Sequence, residues 1–373
     1  MKVVIAIDSF KGSISSLDAG AAIREGIHRV FPEAEVLVRP LADGGEGTVE
    51  ALARGMNGRI RTVTGPLGTP VEASYGILDA SKTAIIEMSA AAGITLVDES
   101  NRNPLYTTTY GVGELIRDAV TNGCRHFIVG IGGSATNDGG IGMLQALGYD
   151  ILDKNRQPVP FGASGLSQIA TIHDTHVLPE LKDCHFKIAC DVTNPLCGPQ
   201  GCSAIFGPQK GATPDMIRQM DQWLAFYASI TRKTYPNADP SHPGTGAAGG
   251  LGFAFLSYTN ATLQSGIQII LEETRLESYI QDAGIVITGE GCLDGQTIMG
   301  KAPIGVAAIA KKYNKTVLAF SGCTTKEATL CNQHGIDAFF PILHTITTLE
   351  EAMHPLTTTT EQVFRLIQAV QVH

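Results

Sequence analysis

Asp8, Ser9 and Lys11 follow directly on an apolar run at 3–7 and precede a stretch with helical spacing. Ligands in open α/β sheets sit at the carboxyl ends of strands, and a helix N-terminus offers free N–H groups to an anion. Lys11 there suits a phosphate or a carboxylate. Asp43 and Glu46 lie in a second loop of this kind, with Gly44, Gly45 and Gly47 around them. Two acids on so bare a loop can reach a cation or a hydroxyl. In the plainer reading both loops are turns, with Asp8 and Ser9 as caps and Glu46 in a first helical turn.

A third segment, 130–140, carries Gly132, Gly133, Ser134, Asn137 and Asp138. Gly130, Gly132 and Ala135 match the Gly-x-Gly-x-x-Ala dinucleotide fingerprint, and Asp150 stands near where a ribose-binding acid belongs. That leaves an NAD(P)-dependent oxidoreductase as an alternative. Against it, Asn137-Asp138-Gly139-Gly140 is a poor first helical turn. A fourth segment, 295–302 (GQTIMGKA), carries Lys301, with Glu290 and Asp294 just before it. It resembles a phosphate-binding P-loop, but Ala302 stands where Ser or Thr would hold Mg²⁺. The spacing therefore predicts a phosphate-contacting helix N-terminus with Lys301. Asp191 and Asn194 end another strand-like run, and 206–211 (FGPQKG) is a further polar loop.

These loops are rich in Asp, Glu, Lys, Asn and Gly, and none of the ten His falls in them. That disfavours a Ser-His-Asp hydrolase and a His-rich zinc site. It suits phosphoryl transfer, in which the protein positions reactants and neutralises charge.

The elements that must hold these residues follow from hydrophobic periodicity. Strands are expected at 3–7 and 35–39, with helices at 17–30, capped by Ser15 or Ser16, and at 47–54. An antiparallel meander is expected at 59–64, 71–78 and 83–88. Further helices are expected at 110–121, 216–230, 247–258, 304–313 and 362–370. Further strands fall at 127–131, 186–191, 284–288, 315–320 and 338–342. The βαβα rhythm at both ends predicts an α/β fold of two domains. One is a doubly wound, mostly parallel sheet built from residues 1–65 and 270–373. The other, 66–269, is inserted.

The length of 373 residues agrees with two domains. A formal charge of -9 argues against nucleic acid or an anionic membrane as partner. None of the eight Cys forms a CxxC pair, no signal-peptide layout opens the sequence, and no apolar run approaches a membrane span. The expectation is a cytoplasmic protein with reduced thiols.

Segments 8–13 (DSFKGS), 42–48 (ADGGEGT), 109–116 (TYGVGELI), 132–140, 190–196 (CDVTNPL), 206–211, 246–252 (GAAGGLG) and 287–301, in this order, resemble the bacterial glycerate kinase type I family. The resemblance spans nearly the whole chain. Cys292 and Gln296 fall where variation is tolerated. It implies two α/β domains flanking a cleft, ATP and Mg²⁺ as cofactors, and D-glycerate as substrate. It further implies 2-phosphoglycerate as product and a role in glyoxylate and sugar-acid breakdown. It does not single out the general base. Asp191, Glu290, Asp43 and Lys11 are the catalytic candidates, and Glu46 and Asp294 the metal candidates. Ser9, Lys301, Asn137, Asp138, Asn194, Gly132, Gly133, Ser134, Gly249 and Gly250 are the candidates for substrate and phosphate. A small-molecule binding protein without catalysis stays open as a second alternative, as does a homo-oligomer.

Overall fold

The computed structural model describes residues 1–10, 13–41, 56–342 and 353–371. In chain order its strands are β1 (Lys2–Ile5), β2 (Glu35–Val38), β3 (Met56–Thr64), β4 (Pro70–Leu78), β5 (Thr83–Glu87), β6 (His126–Gly130), β7 (Asp150–Leu152), β8 (Thr171–His173), β9 (His185–Ala189), β10 (Asn260–Gln264), β11 (Ile285–Leu293), β12 (Thr316–Thr324) and β13 (Ala338–Pro341). The chain forms two compact units, 1–52 with 267–373, and 53–266. The expected second helix, 47–54, lies outside the described residues.

In the first unit five strands pair in the order β13-β12-β11-β1-β2, every pair parallel. Strands of such a sheet are covered on both faces and read as unbroken apolar runs. Val3, Val4 and Ile5 of β1 are accordingly fully buried. Alternate residues face opposite layers. Val3 and Ile5 join the core under helices Ser16–His28 and Met353–Gln371, and Val4 joins the core under Ala302–Lys312. Ser15 caps the first helix by accepting from the Asp18 N–H at 3.1 Å.

The second unit holds a six-stranded sheet, β10-β9-β6-β5-β4-β3. β3, β4 and β5 form the antiparallel meander, while β5, β6, β9 and β10 run parallel. β3 pairs with β4 along its whole length, from Met56↔Leu78 to Thr64↔Pro70. Residues 56–65 thus go with this unit, and a boundary at 65 is too late. A small hairpin, β7–β8, and strand β10 escape the hydrophobic pattern because they are short or polar. Helix Pro214–Thr234 starts at the Thr213 cap with Pro214 in its first turn. From it Trp223, the one tryptophan of the sequence, packs against the unit's core.

The stretch 247–258 is not one regular helix. Ala248, Gly249 and Gly250 have φ of 51°, 65° and 95°, so continuous helix begins only after Gly250.

Candidate active site

In the first unit the polar residues gather where β1 and β11 end, side by side in the parallel sheet. The Asp8 N–H donates to the Gly289 carbonyl at 3.0 Å. Asp8 is buried, and its carboxylate accepts from the Ser9 N–H at 2.6 Å. Glu290 follows Gly289 and is only 8% exposed. The Thr297 hydroxyl donates to Glu290 at 2.5 Å, and the Lys301 ammonium stands 3.8 Å away. The same ammonium is 3.6 Å from Asp294. Asp294 is turned into its own loop, accepting from the N–H groups of Gln296 at 2.8 Å and Thr297 at 3.1 Å. Burial works against the ionised form of Asp294. The Gln296 N–H, Lys301 and the Thr297 N–H outweigh it and hold the carboxyl below its ordinary range. Gly300, at φ 99°, turns the chain so that Lys301 caps helix Ala302–Lys312. Lys301 thus sits at a helix N-terminus with two acids against it, which is a phosphate-and-cation chemistry.

In the second unit the parallel strands β5, β6, β9 and β10 end along one edge. β6 passes into Gly132 and Gly133, both exposed, and a side chain at Gly132 would meet nothing within 4 Å. The loop is fixed from below. Ile94 N–H donates to the Gly133 carbonyl at 2.8 Å, and Ala135 N–H to Ala92 at 2.9 Å. No helix opens within the fingerprint. β6 ends at Gly130 and the next helix begins at Ile141, so the pyrophosphate-binding helix of a dinucleotide fold is missing there. The oxidoreductase reading fails on that geometry.

Asn137 and Asp138, expected to orient substrate, are completely enclosed. Asp138 accepts from Thr109 N–H at 2.9 Å, Thr109 hydroxyl at 2.8 Å, Gly140 N–H at 3.0 Å and Gly142 N–H at 3.3 Å. It ties together the starts of helices Tyr110–Thr121 and Ile141–Ala146. Burial pushes its carboxyl up, against those four bonds. Asn137 donates to Ser203 at 2.9 Å. Asp138 thus holds the loop together, while Asn137 keeps a buried Oδ1 with no hydrogen-bond partner.

Gly249 and Gly250 also belong to the scaffold. A Cβ at Gly249 would stand 2.1 Å from the Thr136 carbonyl, and one at Gly250 2.8 Å from Gly139 Cα. The Gly139 N–H donates to the Gly249 carbonyl at 2.9 Å. These glycines let two loops touch backbone to backbone.

Asp191 is exposed at the end of β9 and accepts from the Gly266 N–H at 3.1 Å. Asn194 donates to the Gln200 carbonyl at 2.8 Å. Lys11, Asp43 and Glu46 lie outside the described residues. Sequence reasoning missed two residues, Thr297 and Lys210. Lys210 is 2% exposed and donates to Ser134 Oγ at 2.7 Å and to the Thr136 carbonyl at 2.6 Å. Its only local cue is the Gly211 turn. At φ 87°, with the Arg102 carbonyl 2.3 Å from a would-be Cβ, that position admits only glycine. No helix among the described residues is long and apolar enough to cross a membrane.

The glycerate kinase family profile matches residues 3–370. The chain is 49% identical over 355 residues to a glycerate kinase of Haemophilus influenzae, spanning 95% of this chain and 94% of the relative. It is 49% identical over 354 residues to a glycerate 2-kinase of Escherichia coli, spanning 94% and 93%. A solved structure of a candidate glycerate kinase 2 from Salmonella typhimurium superposes with a TM-score of 0.93 at 45% identity, over 100% of both chains.

Proposed function

The chain belongs to the glycerate kinase family, and from that premise we propose that it transfers the γ-phosphoryl group of ATP to the C2 hydroxyl of D-glycerate. The product is 2-phospho-D-glycerate, made in the cytoplasm. The observation that carries this reading is the cluster of Glu290, Asp294 and Lys301 at the end of β11. It supplies a carboxylate, a second carboxylate and an ammonium at a helix N-terminus, the groups phosphoryl transfer asks for. The E. coli relative is named a glycerate 2-kinase, which favours C2 over C3.

Within this reading Glu290 accepts the proton of the attacking hydroxyl, and Thr297 holds its orientation. Lys301 pairs with a phosphoryl oxygen. Mg²⁺ fits the donor set. It takes one or two carboxylates and leaves the rest of its shell to phosphate and water. The loop bonds and the Lys301 contact all fall on Asp294 Oδ1, which leaves Oδ2 for a cation, and Glu46 is the partner expected from sequence. When bound, the metal neutralises phosphate charge.

ADP release that depends on D-glycerate tests the activity, and its absence sinks the proposal. Phosphorus NMR of the early product tests the position. A doublet from coupling to the single C2 proton is expected, and a dominant triplet overturns the C2 assignment.

Lys301→Ala is expected to lower kcat/KM for ATP by about tenfold or more, since a charge-assisted contact to phosphate is lost. The melting temperature should move little, because Lys301 is a third exposed and its ion pairs are screened. Unchanged kcat/KM with a lowered melting temperature would make Lys301 a helix cap only.

A further inference from the structure

A fully buried lysine is costly unless its ammonium is spent on something. Lys210 spends it on the loop that follows β6. Its side chain reaches from the turn at 208–210 to Ser134 Oγ, 2.7 Å away, and to the Thr136 carbonyl, 2.6 Å away. An ammonium only donates, so Ser134 Oγ accepts in this bond. The Ser134 hydroxyl hydrogen must then point elsewhere, and among the described residues no group accepts it. Ser134 is itself only 7% exposed, but it adjoins Gly132 and Gly133, the exposed part of the loop. The arrangement is a serine donor, made more acidic by a cation behind it, at an open glycine turn on the carboxyl edge of a parallel sheet.

We propose that Lys210 is a positioning residue for an oxyanion site at the end of β6, holding Ser134 so that its hydroxyl donates to an oxyanion of the substrates. This inference rests on the kinase reading above. The oxyanion is either the glycerate carboxylate or a phosphoryl oxygen of ATP. Lys210 touches neither. It acts through Ser134, and Gly211 makes the turn that lodges it.

The titratable groups facing Lys210 are Cys202 and Asp138. Burial pulls the ammonium down to about 8, against the opposing pull of those two. Cys202 is itself pushed up to about 11 by burial and stays a neutral thiol across the same window. Raising the pH through 8 therefore removes the cation behind Ser134.

Ser134→Ala tests the proposal by steady-state kinetics against each substrate from pH 7 to 9.5. The variant should raise KM for one substrate about tenfold at pH 7. The substrate affected names the oxyanion: D-glycerate for the carboxylate, ATP for the phosphoryl oxygen. The wild-type advantage in kcat/KM should shrink by several-fold as the pH passes 8, because deprotonated Lys210 no longer polarises the serine. Lys210→Met should raise the same KM, and Ser134→Ala added to it should cost little more, as expected for residues acting in series. If Lys210→Met does not fold, the pH profile of Ser134→Ala still decides. KM values within twofold of wild type for both substrates would overturn the assignment, as would an advantage that does not change with pH. Wild-type protein that releases no ADP with D-glycerate would bring down both readings. A working wild type with an indifferent Ser134→Ala brings down only this one.

Discussion

Glu290→Gln is expected to lower kcat by more than about 100-fold, roughly 2.7 kcal/mol of transition-state stabilisation, with folding intact. The two side chains have the same shape. The Thr297 hydroxyl can still donate to the remaining carbonyl oxygen, so the loop keeps the bond that orients residue 290. What disappears is a proton acceptor and the charge opposite Lys301. Both matter most as the hydroxyl attacks. Asp191→Asn should behave alike, since an amide oxygen still accepts from the Gly266 N–H. A kcat within threefold of wild type for both variants, with unchanged melting, would remove these carboxylates from the chemistry.

Asp138→Asn should destabilise the protein by about 3 kcal/mol or more in denaturant titrations. Four donors converge on the two carboxylate oxygens, and none of the four can turn into an acceptor except the Thr109 hydroxyl. With its oxygen in the Oδ2 place an amide keeps three of these bonds, but its NH2 then faces the Gly140 N–H in a fully enclosed space, and the charge that all four donors serve is gone. The anchor shared by helices Tyr110–Thr121 and Ile141–Ala146 is weakened, most at Gly140, where the second helix starts. A loss below about 1 kcal/mol would mean that burial has won over the four bonds and that Asp138 is already protonated. Repacking there would also loosen the loop that carries Ser134, so reduced activity should accompany the lost stability.

Strand-loop-helix units were legible because buried parallel strands write themselves as apolar runs and their ends as polar ones. That placed Glu290, Asp294 and Lys301 in one segment, and the structure brings them together around one ammonium. The structural part that Asn137 and Asp138 play was not legible, for a physical reason. A carboxylate that caps two helices has the same letters around it as one that meets a ligand, and only the chain's return at Thr109 decides between them. The close backbone contacts of Gly249 and Gly250 were hidden likewise, because a glycine near a ligand and a glycine against another backbone have the same sequence signature. Lys210 was illegible for the opposite reason. Its acceptors, Ser134 and Thr136, lie far away in sequence, and a lysine in a polar loop reads as solvated.

Trp223 makes the two units unequal in ultraviolet light. The indole packs on the core of the second unit, and the first has no tryptophan at all. Emission excited selectively at the indole therefore follows the melting of residues 53–266, while far-ultraviolet ellipticity follows helices of both units. Units that melt together give two coincident curves. Units that melt apart give an ellipticity step with no counterpart in emission, and that silent step belongs to the unit carrying Glu290 and Lys301. The wild-type chain is thus its own single-probe reporter, with no label to introduce.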